Sequence, residues 1–312
     1  MQEKIAFLFP GQGSQYVGMG KDLYENFPLA REIFDRAEEI LEIPLKDYCF
    51  YGPPELLKTT AICQPAIFTC SIACLYALNS KINIKTDFVL GLSLGEYSAL
   101  VAGSILKFEE ALKVVRYRAE LMQRQADKSL GKMSAIIGLD KKYIQEICDF
   151  CGDVYVANLN SPEQIVISGK KEKIDLAKQL CLQKGAKRAV DLEVSAAFHS
   201  PFMKDIAKEF EEFLKGIEFS LAKIPLISNV DALPKIKPSE IKTALVKQLY
   251  SPVLWEDSIR YLLNQGTTKF YEIGPGNVLR GLMRKIAPQA TVINIEKSQD
   301  IMELGELGKL GS

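Results

Sequence analysis

The chain has 312 residues, 47% hydrophobic and 25% charged, enough to bury a sizeable core in one large domain or two smaller ones. Lysine plus arginine and aspartate plus glutamate both number 39, a formal net charge of +0, which argues against a surface built for nucleic acid or anionic membranes. Seven cysteines without framework spacing fit a reducing compartment. The longest apolar run, Pro65 to Leu78, falls short of the roughly 20 residues that cross a bilayer, so a cytoplasmic protein with no membrane association is expected.

Lys4 to Phe9 reads as a first strand, too brief for the hydrophobic region of a signal peptide. It runs into Pro10-Gly11-Gln12-Gly13-Ser14-Gln15, a glycine loop that is either a plain strand-to-helix turn or a close backbone approach to a ligand. Apolar residues at 29, 33, 34, 37, 40 and 41 predict an amphipathic helix behind Pro28. Phe88 to Leu90 reads as a short buried strand and Leu94 to Ala102 as a helix. Between them Gly91-x-Ser93-x-Gly95 has the spacing of a nucleophile elbow, in which small residues let strand and helix backbones meet while the serine Oγ is lifted clear. An ordinary glycine-flanked turn spells the same pattern, but the position directly after a strand favours the elbow. It would also set Ser93 at a helix N-terminus, where free N–H groups face a developing oxyanion.

A helix is predicted from Phe108 to about Ala126. With Ala111, Val114, Val115, Leu121 and Met122 as its inward stripe, Arg118 lies on that stripe, whereas Arg116 points to Glu120 as a solvated pair. A buried arginine needs a partner, either an internal carboxylate or the carboxylate of a substrate. Cys148-x-x-Cys151 has no second pair and no neighbouring histidine, so it reads as buried thiols at a helix end rather than a zinc or redox motif.

From Met133 to Val194 the elements run strand (134–139), helix (141–150), strand (154–158), strand (164–168), helix (171–184) and strand (189–194). That βαββαβ order predicts a ferredoxin-like small domain, 131–197, inserted in a large α/β domain made of 1–130 and 198–312. Further strands are expected at Ile224 to Asn229, Lys269 to Ile273 and Thr291 to Ile295, giving an open, largely parallel sheet with function at the carboxyl ends of its strands. His199 is the only histidine and falls where the chain returns to the large domain. If Ser93 is a nucleophile, His199 is the one imidazole available as its base.

Seven stretches together resemble the malonyl-CoA:acyl-carrier-protein transacylase family over nearly the whole chain. They are Phe9 to Gln15, Gly91 to Leu100, Arg118 to Gln123, Asn158 to Pro162, Phe198-His199-Ser200, Gln248 to Val253 and Glu272-Ile273-Gly274-Pro275-Gly276. The resemblance implies an α/β-hydrolase-like large domain and a malonyl-Ser93 intermediate formed with His199 as base. It further implies that Gln12 and the Leu94 amide form the oxyanion hole, and that a backbone carbonyl near Gln248 orients the histidine in place of an aspartate. Arg118 is implied to pair with the malonyl carboxylate in a substrate site shared with Met122, Asn160, Phe198 and Gln248. No metal or bound cofactor is expected. The implied partners are malonyl-CoA and an acyl carrier protein bearing phosphopantetheine, met by a monomer. Basic Lys204 and Arg284, expected near the site mouth, are candidate docking residues for an acidic partner.

Leu92 departs from the family, which usually has histidine before the nucleophile; its side chain is expected to turn away from the elbow. Competing readings are a trans-acting polyketide acyltransferase, a serine thioesterase or esterase using Asp191 as its acid, and a non-catalytic relative that only docks a carrier protein.

Overall fold

The computed structural model describes residues 3–128, 131–194 and 196–310, and these build two sheets. Residues 129, 130 and 195, at the expected domain junctions, lie outside the described residues. The larger sheet has the order β10 (Thr291–Ile295), β9 (Thr267–Ile273), β1 (Lys4–Phe9), β2 (Phe88–Gly91), β7 (Leu226–Ile227) and β8 (Pro234–Lys235). Its pairings are parallel except β7 with β8. Strand periodicity divides its core: Phe7 and Phe9 face one apolar cluster while Ala6 and Leu8 face the other.

On the first face lies the helix Thr60–Asn79, apolar all round and therefore buried, packed against the helices Pro28–Leu41 and Phe108–Lys128. By length and composition it could cross a membrane, but 83% of its apolar window is buried as core. The second face is covered by Trp255–Asn264 and Val278–Ile286.

The smaller sheet has the order β4 (Val154–Ser161), β5 (Gln164–Lys170), β3 (Gly131–Ile137) and β6 (Arg188–Asp191), all antiparallel, with helices Lys141–Cys151 and Lys171–Gln183 packed on it. This is the strand order of the ferredoxin-like arrangement. β4 is tied to the large sheet's side of the molecule through Val253, whose N–H donates to the Ala157 carbonyl at 2.8 Å while its carbonyl accepts from Leu159 N at 2.9 Å. Gly131 runs hard against the returning chain: a Cβ there would stand 2.4 Å from Ala197 N.

Two strands are shorter than expected. β6 stops at Asp191 because Val194 N turns back onto the Leu192 carbonyl, and β7 stops at Ile227 because Ser228 opens a turn closed by Ala232 N. Cys148 and Cys151 are free, buried thiols at a helix end, as the spacing suggested, and burial pushes Cys148 up to about 12.

Candidate active site

Four chain segments meet where the parallel strands end. β2 leads into Ser93, held at φ 53°, and the helix Gly95–Ala102 starts at once. Both elbow glycines are required by contact: a Cβ on Gly91 would lie 1.9 Å from Gly95 C, and one on Gly95 would lie 2.0 Å from the Phe9 carbonyl oxygen. Because these contacts are with backbone, Gly95→Ala is expected to destabilise the fold by about 3 kcal/mol or more, read by urea unfolding. An unfolding midpoint equal to that of the wild type would show that the elbow can open without cost.

β1 contributes the Gln12 loop. Gly11 lies against the Leu92 carbonyl, where a Cβ would sit 2.3 Å from the oxygen, so the loops after β1 and β2 pack backbone to backbone. The Leu94 and Gln12 amides make no hydrogen bond among the described residues, and both residues border the same cavity as Ser93. The Ser93 amide, in contrast, is occupied: it donates to Asn229 Oδ1 at 2.7 Å, and Asn229 Nδ2 donates to the Gly91 carbonyl at 2.7 Å. Asn229, just beyond β7, thus clamps both sides of the elbow.

His199 arrives from the small-domain return with φ 55°, a left-handed conformation that histidine tolerates better than most side chains. Its Nε2 is 2.8 Å from Ser93 Oγ and its Nδ1 is 2.8 Å from the Gln248 carbonyl. A carbonyl can only accept, so Nδ1 carries the proton and Nε2 is left to accept from the serine hydroxyl. Burial, followed by the Arg118 charge, lowers the imidazole to about 4 against the carbonyls of Gln248 and Ser251, which support its protonated form.

Arg118 is 1% exposed. Its Nη1 donates to Gln64 Oε1 at 2.6 Å, and its Nη2 donates to Gln248 Oε1 at 3.0 Å and to Ser93 Oγ at 3.1 Å. The guanidinium carbon lies 5.2 Å from the centre of the Tyr97 ring. Nε has no partner, and no carboxylate among the described residues lies within the 4.0 Å of a salt bridge. Of the two partners open to this arginine, the internal carboxylate in direct contact is therefore not the one found.

A cavity of about 500 Å³ brings Gln12, Ser93, Leu94, Arg118, His199, Met122, Asn160 and Phe198 together. Asn160 donates to Gln164 and leaves its buried Oδ1 unpartnered in the wall. Exposed apolar side chains of Tyr16, Val17, Leu192 and Val278 border the mouth.

Three expectations need correction. Gln248 was expected in the substrate site but lies behind the wall, fully buried, because its two amide ends are taken by Arg118 on one side and by the Ser93 carbonyl and Glu96 on the other. Leu92 does not turn wholly away from the site; packed among the apolar residues beneath β1 and β2, it also borders the cavity. Asp191, the candidate acid of a hydrolase triad, borders the cavity but does not orient the histidine, whose Nδ1 is taken by the Gln248 carbonyl; against the upward push of burial, Lys132, Lys178 and Ser134 hold its carboxyl well below the usual range.

Sequence reasoning missed Gln64, Glu96 and Asn229. Gln64 carried a signal, a lone amide in an apolar run, and Asn229 carried a weaker one as a polar residue at a strand's carboxyl end.

The acyl transferase domain model matches residues 6–300. The chain belongs to the acyl transferase family. This acyl transferase is 45% identical to the malonyl CoA-acyl carrier protein transacylase of Bacillus subtilis over 302 residues, 96% of this chain and 95% of that protein. It superposes on an acyl carrier protein S-malonyltransferase from Vibrio cholerae with a TM-score of 0.93 at 38% identity, covering 97% of this chain and 100% of that one. It also superposes, with a TM-score of 0.95 at 36% identity and coverage of 98% and 100%, on a malonyl-transacylase solved in complex with a type II PKS acyl-carrier protein.

Proposed function

We propose that this acyl transferase moves the malonyl group of malonyl-CoA to the phosphopantetheine thiol of an acyl carrier protein through a malonyl-Ser93 ester. The observation that carries the reading is Arg118: a buried guanidinium with an unpartnered Nε, no carboxylate in contact, and Nη2 3.1 Å from the serine oxygen. A site so charged favours an acyl group that ends in a carboxylate, and would leave the cation unpaired with acetyl.

Ser93 gives its proton to His199 Nε2 and attacks the thioester carbonyl. The amides of Gln12 and Leu94 receive the oxyanion, each worth about 3 kcal/mol in comparable sites. The C–S bond breaks, His199 returns the proton to the departing CoA thiolate, and the malonyl group stays as an ester on Oγ. The carrier thiol then gives its proton to His199, attacks the ester and restores the serine hydroxyl, so the kinetics are ping-pong. Gln248 orients the imidazole with its backbone carbonyl, and Met122, Asn160 and Phe198 shape the acyl and pantetheine space. No metal or bound cofactor takes part. The enzyme works as a monomer, and exposed Lys204 and Arg284 are candidates to meet an acidic carrier. Seven free, buried cysteines support a cytoplasmic location.

An imidazole lowered to about 4 remains a competent base well below neutral pH. Single-turnover malonylation of the free enzyme should therefore stay flat as pH falls through 6.5 and decline only towards about 4. An acid limb at 6.5 would contradict the buried, Arg118-flanked environment described for His199.

A further inference from the structure

The carboxylate missing from Arg118's immediate contacts lies one amide away. Gln248 presents Oε1 to Arg118 Nη2 at 3.0 Å and Nε2 to Glu96 Oε2 at 2.5 Å. Arginine can only donate, so it fixes the oxygen end of that amide towards itself and the nitrogen end towards Glu96. Glu96 is 0% exposed, three residues beyond Ser93, and its other oxygen accepts from Asn229 N at 3.4 Å. Both oxygens thus face N–H donors, the surroundings of a carboxylate; a protonated carboxyl would need an acceptor for its hydrogen. Burial raises Glu96 to about 8, even against the hydrogen bonds from Gln248 and Asn229 and the Arg118 charge, all of which favour its carboxylate form.

We propose that Glu96, in its carboxylate form, is the counter-ion of Arg118, coupled to it through the Gln248 amide, and that it tempers the site's hold on the acyl carboxylate. This rests on the malonyl reading above. Once ionised, above about pH 8, Glu96 balances a guanidinium that would otherwise be an uncompensated buried charge, an arrangement that is strongly destabilising. When a malonyl carboxylate arrives, two carboxylates share one cation, and the substrate is held less tightly than by Arg118 alone. Glu96 is thereby a positioning and tuning residue: it touches neither substrate nor reacting atoms, and acts through Gln248.

The test is Glu96→Gln, which keeps the shape and removes the charge. Acylation by malonyl-CoA and by acetyl-CoA is compared above about pH 8, where the wild-type carboxyl is ionised. The malonyl-over-acetyl ratio of kcat/KM is expected to rise, on the order of tenfold, because the repulsion between two carboxylates is gone. The free variant should melt below the wild type and recover more on malonylation than the wild type does. Simple loss of packing would lower both rates together and leave the ratio unmoved, and an unchanged or fallen ratio overturns the proposal. If Glu96→Gln alone does not fold, adding Arg118→Met should restore folding by removing the unbalanced cation, and a double variant that stays unfolded also overturns it. Wild-type protein that takes no malonyl group refutes the functional reading and this proposal with it, whereas malonylated wild type with an unmoved ratio refutes this proposal alone.

Discussion

Ser93→Ala is expected to lower malonyl transfer by on the order of 10⁵-fold, and His199→Ala by a similar factor. The serine oxygen is the atom acylated in the proposed mechanism, and the only imidazole stands 2.8 Å from it with its far nitrogen anchored on a carbonyl. Because the two act as one unit, the double variant should be scarcely worse than either single one; the losses would not multiply. Steady-state transfer to a phosphopantetheinylated carrier protein measures all three. A Ser93→Ala variant retaining a tenth of the activity would remove the serine from the chemistry. A double variant whose loss is the product of the two single losses would instead contradict their acting as one unit, since independent groups behave that way.

The second large effect concerns selectivity. Arg118→Met should reduce kcat/KM for malonyl-CoA by about 10³-fold, the scale of losing a buried, hydrogen-bonded charge partner. Acetyl-CoA should lose far less, since it offers the guanidinium nothing to bind. The expected signature is an inversion of preference rather than a general loss. Arg118 also donates to Ser93 Oγ, Gln64 and Gln248, so some common decline in both rates belongs to the prediction. Equal losses with the two donors would reduce Arg118 to a scaffold for its neighbours and deprive the malonyl assignment of its main support.

Much of this site was legible before any coordinates, for physical reasons that differ from residue to residue. The elbow was readable because its steric demand is absolute: only glycine fits where a Cβ would meet backbone at 1.9 or 2.0 Å. Arg118 was readable because a charge on an apolar helical stripe breaks the amphipathic pattern, and the pattern left two kinds of partner. The structure turns up no internal carboxylate in direct contact among the described residues, only an amide relay to Glu96 that no sequence spacing encodes. His199 was readable by being alone. The open parallel sheet and the βαββαβ insertion followed from alternation and element order.

The polar network behind the wall was hidden for an equally physical reason. Glu96, Asn229 and Gln248 come from segments more than 130 and about 20 residues apart in the chain, and only tertiary packing makes neighbours of them. Nothing in the neighbourhood of Gln248 distinguishes an amide that binds substrate from one that holds Arg118 from behind. Leu92 illustrates a related limit. Its place beside the serine was plain, but whether its side chain faced the cavity or the core depended on the twist of the elbow, and it reaches both.

The most direct test of the central claim is the intact mass of the protein after brief exposure to malonyl-CoA, followed by addition of a phosphopantetheinylated carrier protein. One malonyl adduct is expected, absent from Ser93→Ala and discharged onto the carrier thiol. A wild-type mass that never changes while no free malonate accumulates would contradict it, and steady release of malonate with an unmodified carrier would contradict the transferase in favour of a hydrolase.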